Sequence, residues 1–323
     1  MDSPFLVILL VAFTFTFVFI FVLVGTKIEL HQINDEFLSD TILTRRIKEH
    51  EEWTLIAGHN NLPINVARYE NQRLREFDLT WDLDRHAVWG KVNNSRTDLI
   101  RLRNGHVHAQ VWVAGVNCSG HPAETVQQLY EQIDTFKRLI EKHSQDLALC
   151  RSVEELRHAI DAHRIGSLLA VKGGHSINAK LSLLRSLYAL GVRSMSLASE
   201  HNCCDWADSS IVDELDNGIA GSRGDLSIWG RLVVWEMNRL GMIVDLSYGS
   251  YGVALDVLRY SRAPVIYSNA GAYGVHPHHL NVRDDVLKQL ASRAGLVMIS
   301  FNPTILGGYT IDNVVGMSFE GIR

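Results

Sequence analysis

The chain lacks a marked excess of charge of either sign. Its 323 residues carry a formal net charge of −5, and no long block of like charge or low-complexity tract occurs in it. Because nucleic-acid binding needs a clustered basic face, no nucleic-acid partner is expected. The chain also lacks an internal repeat, which argues against a solenoid or a propeller. With 46% hydrophobic residues, it suits one large globular domain with an appendage at one end.

Cysteine is scarce, and its four positions do not form a zinc-ribbon pattern. They are Cys118, Cys150, Cys203 and Cys204, and two adjacent cysteines grip a metal ion poorly. In an oxidising compartment we predict one disulfide, joining Cys118 to Cys203 or Cys204, and we select Cys203. The alternative is that the cysteines are buried free thiols.

An uncharged apolar run stands at the N-terminus. Phe5 to Val24 contains twenty residues without a charge, preceded only by Asp2. About 20 apolar residues cross a bilayer as a helix, whereas the core of a cleaved signal peptide has roughly 7–15. We therefore predict a retained transmembrane anchor within residues 1–25, a linker and lead-in helix in 26–50, and the main domain in 51–323. A long cleaved signal peptide is the alternative.

The orientation of this anchor rests on two opposing signals. Lys27 follows the run, and the positive-inside rule then favours a cytosolic domain. Asn93 and Asn117 begin two glycosylation acceptor sequences, which favour the opposite orientation. We expect a single-pass membrane glycoprotein whose domain is extracellular or lumenal.

Short apolar runs alternate with helical patterns through the main domain. The predicted strands are Thr54–Gly58, His108–Gly115, Ser167–Val171, Arg193–Ala198, Met242–Leu246, Pro264–Ser268 and Gly295–Phe301. Helical spacing of apolar residues marks Glu124–His143, Leu181–Leu190 and Ile228–Leu240. This alternation predicts an α/β fold with a parallel sheet, a (β/α)₈ TIM-like barrel first and a doubly wound sheet second. No Gly-x-Gly-x-x-Gly follows the first strand, which weakens the dinucleotide-binding alternative.

Polar residues follow several of the predicted strands. Barrel enzymes carry their chemistry at the carboxyl ends of the strands, so these residues are candidates for a site. A zinc site needs three or four His, Cys, Asp or Glu ligands. Of the residues at these ends, only His59 is clearly placed as a ligand, so the residues alone give weak support for a metal site.

The blocks around these strand ends resemble the membrane (renal) dipeptidases. The resemblance covers about residues 36 to 310 and rests on GHNNLP, GGHSI, WADS, GRLVVWEMNRLGMIVDLS, SRAPVIYSNAGAY, NVRDDVL and GLVMISFNP in order. It implies a metallopeptidase-like hydrolase with a barrel fold and zinc as its cofactor. In that family two zinc ions polarise the peptide carbonyl and share a hydroxide nucleophile.

The resemblance also implies that most zinc ligands are substituted in this chain. His59 survives, but the family's aspartate falls at Asn61, its bridging glutamate at Lys172, and its two further histidines at Tyr248 and Asn269. An ammonium group has no lone pair and repels a dication. The amides are neutral, and a phenol ionises only near pH ~10. We expect zinc to be lost or weakly held, and the chain to be a pseudoenzyme.

The substrate side is altered as well. The family's catalytic histidine falls at Ser199, with His201 as a candidate replacement, and its carboxylate-binding arginine falls at His279 or Leu280. The family's eighth strand finds no match, so a barrel truncated before that strand is expected. We expect an impaired dipeptidase homologue that binds a small peptide or forms a homo- or heterodimer with homologues. An active metallohydrolase with an altered metal site and a truncated product without function are the alternatives.

Several of these residues have simpler interpretations. Lys172 is either a buried substitute for metal or a lysine whose head reaches solvent. His175 is expected to form a structural hydrogen bond, and His276, His278 and His279 are expected to lie in a solvated loop. A single-metal site of His59, Glu200 and His201 is the least favoured interpretation.

Overall fold

The computed structural model describes residues 54–92, 97–118, 121–215, 226–308 and 310–319. The predicted anchor, the linker with its lead-in helix, and the acceptor Asn93 lie outside these residues. Among the helices that are described, none combines the length and the apolar character needed to cross a bilayer.

Strands and helices alternate along the described chain. The strands are β1 (Leu55–Asn60), β2 (Val107–Gly115), β3 (Leu147–Leu149), β4 (Ile165–Lys172), β5 (Val192–Ser196), β6 (Ile243–Asp245), β7 (Ile266–Ala270) and β8 (Leu296–Ile299). The helices are α1 (Leu62–Glu70), α2 (Leu99–Asn104), α3 (Pro122–Lys142), α4 (Val153–Asp161), α5 (Leu181–Ala189), α6 (Ile211–Leu215), α7 (Ile228–Leu240), α8 (Tyr251–Tyr260), α9 (Asp284–Ser292), α10 (Pro303–Leu306) and α11 (Ile311–Phe319). Two 3₁₀ helices span Trp89–Lys91 and Gly174–Ile177.

All these strands pair in parallel within one sheet. The order is β1-β2-β4-β5-β6-β7-β8, and β3 pairs with the beginning of β4. The sheet curls, because β1 contacts both β7 and β8. At Gly58 the approach is so close that a Cβ would lie 2.5 Å from the carbonyl oxygen of Ser268. The result is a barrel-like parallel α/β sheet, consistent with a TIM-like fold.

The seven predicted strands are all present, each with ends within two residues of the prediction. Their order never reverses, whereas a doubly wound sheet reverses it part-way, so the second fold alternative is wrong. Strand β3 was not predicted, because three residues are too few to show a hydrophobic period. The expected truncation before a last strand stays a prediction.

Local sequence signals account for the helices that cover the sheet. Helix α7 begins after Ser227, whose hydroxyl accepts a hydrogen bond from the Gly230 amide, and it ends before Gly241, which has a φ of 77°. These are the expected N-cap and left-handed C-terminal residues. In α3, the buried residues Leu129, Ile133, Phe136 and Ile140 recur at helical spacing and face the core.

Candidate functional site

The five predicted metal-ligand positions include four that form one hydrogen-bonded group. His59 lies in β1, Asn61 follows it, Tyr248 follows β6 and Asn269 lies in β7. His59 Nε2 is 3.1 Å from Asn61 Oδ1 and 3.4 Å from the Tyr248 hydroxyl. Asn269 Nδ2 donates to the same hydroxyl at 3.1 Å. With Lys172, whose Nζ lies 5.0 Å from the centre of the Tyr248 ring, these residues are called the His59 cluster.

The strand register explains why Lys172 reaches this cluster. Lys172 ends β4 and pairs with Gly115 at the end of β2. A Cβ at Gly115 would lie 3.1 Å from the Cβ of Lys172, so a larger residue there would crowd the lysine stem. The Lys172 side chain is only 13% exposed, and its Nζ lies 3.0 Å from Glu200 Oε1. Its stem is therefore covered, and its ammonium is held between an aromatic ring and a carboxylate.

Charge and desolvation set the protonation states of this cluster. Desolvation, followed by repulsion from the Lys172 ammonium, lowers the pKa of His59 from 6.5 to about 4. Desolvation also raises the pKa of the Tyr248 phenol. Desolvation works to raise the pKa of Glu200, but the Lys172 ammonium outweighs it, so that pKa lies below its usual value. Near neutral pH the cluster thus holds a neutral imidazole, a neutral phenol and an ion pair.

The donors of this cluster differ from those that zinc prefers. A neutral imidazole is a good zinc ligand, and His59 provides one. The side chains of Asn61 and Asn269 offer neutral amide oxygens, and Tyr248 offers a protonated phenol. The Lys172 ammonium has no lone pair to offer and adds a positive charge.

Tyr248 has an unusual backbone for a large side chain. Its φ is 70°, in the left-handed region that bulky residues rarely adopt. A long-range backbone hydrogen bond holds this segment, since the Tyr248 carbonyl accepts from the Ser210 amide at 2.8 Å. Residues in this conformation concentrate at functional sites, and the Tyr248 hydroxyl lies 3.4 Å from His59 Nε2.

A cleft opens beside the cluster. It has a volume of about 560 Å³, and its lining includes Asn61, Arg68, Lys91, Lys172 and Glu200. These side chains place cations and one carboxylate around the same space. The cleft is therefore suited to a small ligand that carries both signs of charge.

The candidate substrate residues do not all face this cleft. The Ser199 hydroxyl donates to the His201 carbonyl at 3.1 Å and is buried, while the His201 side chain is exposed. His279 Nδ1 is 2.9 Å from the Ser210 hydroxyl, and His279 lines a separate small cavity of about 30 Å³ with Tyr248. The geometry thus brings Asn61 and Lys172 to the large cleft and places His279 elsewhere.

The cysteine prediction is confirmed. A disulfide joins Cys118, after β2, to Cys203, after β5, with their Cα atoms 5.6 Å apart. Cys150 and Cys204 are buried free thiols, so the alternative holds for those two residues. The hydrogen bond predicted for His175 is also present, since its Nε2 bonds the Val116 carbonyl at 2.9 Å.

Two further predictions concern histidines, one on the loop around His278 and one on a single-metal site at His59. His276, His278 and His279 lie in the loop between β7 and α9 as expected, but they are half-buried rather than fully solvated. Their rings stack in sequence, 6.1 and then 4.6 Å apart. Within the residues that the structure describes, His59, Glu200 and His201 do not come close enough to share a metal ion, whereas Cys118, His175 and Cys203 do.

Comparison with known proteins decides the family. Residues 44–317 match the family model described as Membrane dipeptidase (Peptidase family M19). The chain belongs to the membrane dipeptidase family. It is 37% identical to Dipeptidase 3 of Macaca fascicularis over 277 residues, which cover 84% of this chain and 53% of that protein. It is also 37% identical to Dipeptidase 3 of Homo sapiens over 275 residues, 83% of this chain and 52% of that protein. The chain therefore spans about half the length of these relatives.

A solved metallopeptidase structure supports the fold. A metallopeptidase from Rhodobacter sphaeroides, liganded with a phosphinate mimic of the dipeptide L-Ala-D-Ala, superposes with a TM-score of 0.67. The two chains are 18% identical, and the match covers 83% of this chain and 82% of the other. At that identity the likeness establishes the shared barrel-like architecture.

In this membrane dipeptidase homologue a buried hydrogen-bond network that was not predicted from the sequence supports His59. The Asp245 carboxylate accepts hydrogen bonds from the Ser268 hydroxyl and from the Ser247 and Ser268 amides. Ser268 Oγ lies 3.4 Å from His59 Nδ1. The signal in the sequence was an aspartate and serines at the ends of neighbouring predicted strands, but only the fold shows that they meet.

Proposed function

We propose that this chain is a membrane-anchored dipeptidase homologue that binds small peptides and does not hydrolyse them efficiently. The supporting observation is the Lys172 ammonium in the His59 cluster, at the position where the family resemblance implies a zinc-bridging glutamate. The remaining donors, one imidazole, two amides and a phenol, do not fit a pair of zinc ions. Anchoring rests on the uncharged run from Phe5 to Val24.

The repulsion between Lys172 and a metal ion is large. A dication about 5 Å from an ammonium is repelled by roughly 7 kcal/mol at an effective dielectric constant of about 20. Every ~1.4 kcal/mol changes an affinity tenfold, so the ammonium alone weakens zinc binding by several orders of magnitude. The ammonium is held in place by Glu200, whose Oε1 lies 3.0 Å from its Nζ.

The cleft supports a peptide-binding role. A dipeptide is a zwitterion, with a carboxylate that Arg68, Lys91 or Lys172 can bind and an ammonium that Glu200 can bind. Binding by these side chains needs no metal ion. We also propose that the chain forms a homo- or heterodimer with dipeptidase homologues.

Zinc content and hydrolysis test the catalytic part of this proposal. The full chain, purified with its disulfide intact, is expected to carry fewer than two zinc ions and to show no chelator-sensitive hydrolysis of L-Ala-D-Ala. The four-fold variant Asn61→Asp, Lys172→Glu, Tyr248→His, Asn269→His is expected to bind zinc. Lys288→Met, which removes a lysine on α9 outside the His59 cluster, is the control and is expected to leave the zinc content unchanged. Two zinc ions per unmodified chain with chelator-sensitive turnover would refute the proposal.

Calorimetry tests the binding part. L-Ala-D-Ala is expected to bind the full chain in the presence of chelator, and Arg68→Ala or Lys91→Met is expected to weaken that binding several-fold. The exposed Arg157, on α4 and away from the cleft, provides the control Arg157→Ala. Absence of binding, or equal binding by Arg68→Ala, Lys91→Met and the control, would contradict a role for the cleft.

An active hydrolase with an altered metal site is the second candidate. The low pKa of His59 favours it, because the imidazole stays neutral and can bind a metal ion near neutral pH. This candidate predicts a slow dipeptide hydrolysis that a chelator abolishes and that His59→Asn removes. The assay above separates the two candidates.

A further inference from the structure

Three side chains of metal-ligand type meet outside the His59 cluster. Cys118 follows β2, His175 follows β4 and Cys203 follows β5, strands that are neighbours in the sheet. One ligand atom from each lies within 4.8 Å of the other two. The two cysteines form the disulfide described above.

His175 is arranged as metal-binding histidines are. Its Nε2 lies 2.9 Å from the Val116 carbonyl, which can only accept, so Nε2 carries the ring hydrogen. Nδ1 therefore keeps a lone pair, and it is buried without a hydrogen-bond partner among the described residues. Desolvation lowers the pKa of His175, which keeps the ring neutral. A metal-bound histidine commonly donates its second ring N–H to a backbone carbonyl in this way.

A polar group is available beside the two sulfurs. The Ser199 hydroxyl oxygen lies 3.4 Å from Cys203 Sγ and 4.0 Å from Cys118 Sγ. Two thiolates and one imidazole, with a water molecule in the fourth position, form a known zinc coordination set. The sulfurs would have to separate from about 2 Å in a disulfide to about 3.8 Å around a tetrahedral zinc, a change within reach of side-chain rotation.

We propose that Cys118, Cys203 and His175 form a redox-gated zinc site, closed by the disulfide and opened by its reduction. A dithiol reductant supplies two electrons and two protons, becomes a disulfide itself, and leaves Cys118 and Cys203 as thiols. Zinc then displaces the two thiol protons to solvent and binds both thiolates and His175 Nδ1. The two thiolate charges neutralise the ion, which offsets repulsion from the nearby Lys172. This inference is independent of the function proposed above.

Cobalt(II), as a spectroscopic substitute for zinc, tests the site in the full chain. After reduction by a phosphine without oxygen, one equivalent is expected to give thiolate-to-cobalt charge-transfer bands, which the oxidised chain does not give. Cys118→Ser and Cys203→Ser are each expected to remove most of this absorption. Cys150→Ser with Cys204→Ser, which removes the two other thiols, is expected to retain it, as is His59→Asn.

The cobalt absorption of the unmodified chain and of the variants is compared after reduction. Because all of these proteins then lack the disulfide, its loss cannot explain a difference between them. A circular-dichroism melt confirms that each variant is folded. As a second measurement, zinc is expected to slow alkylation of Cys118 and Cys203 in the reduced unmodified chain, and less so in His175→Gln. Absence of thiolate bands in the reduced chain, or their persistence in the Cys118→Ser, Cys203→Ser double variant, would overturn the proposal.

Discussion

From the low pKa of His59 we predict how the free energy of unfolding depends on pH. The folded chain holds this imidazole neutral down to about pH 4, whereas the unfolded chain protonates it near 6.5. Between those values the unfolded state binds more protons, so stability rises with pH across this window and is lost as the pH falls through it. A shift of about 2.5 units corresponds to about 3 kcal/mol, all of it present above pH 6.5 and absent below pH 4.

Denaturant unfolding of the full chain at several pH values measures this effect. At each pH, the free energy of unfolding of His59→Asn is subtracted from that of the unmodified chain. This difference is expected to fall by about 3 kcal/mol between pH 7 and pH 4. Lys172→Met removes the second cause of the shift, so it is expected to reduce this fall by on the order of 1 kcal/mol. His158→Asn, on the exposed side of α4, controls for loss of a histidine elsewhere. A difference that stays constant over this pH range would refute the assignment of a neutral, desolvated His59.

Three further predictions concern stability. Gly174→Ala places a Cβ 2.4 Å from the Trp206 ring, so we expect a loss of about 1–3 kcal/mol by denaturant unfolding, and a stability equal to that of the unmodified chain would contradict this packing. Cys118→Ser removes a disulfide that spans 85 residues, with an expected cost of about 2–5 kcal/mol under oxidising conditions and almost none under reducing ones. Hydrogen bonds from Arg239 and then Arg185 lower the pKa of Glu236 to about 2. Glu236→Gln should therefore cost about 1 kcal/mol at neutral pH and much less at pH 2, and an equal cost at both pH values would argue against the ion pairs.

Local pattern determined much of the fold. Seven strands and helices such as Ile228–Leu240 follow from apolar periods and end signals, because those signals depend only on neighbouring residues. Such signals could not predict Leu147–Leu149, since three residues are too few to show a hydrophobic period. This strand is defined by its pairing with β4. The choice of a barrel-like sheet over a doubly wound one depended on strand order, which no local pattern encodes.

The residue types at the strand ends can be read directly from the chain: one histidine, two asparagines, a tyrosine and a lysine where the family resemblance implies zinc ligands. How these side chains act together depends on the folded arrangement. It placed Lys172 over the Tyr248 ring and against Glu200, and it set the Asp245 and Ser268 network behind His59. It also left one ring nitrogen of His175 unpartnered among the described residues, next to the Cys118–Cys203 disulfide. The physical reason is that pKa values, ion pairs and orphaned lone pairs depend on distances between residues remote in sequence, which folding alone establishes.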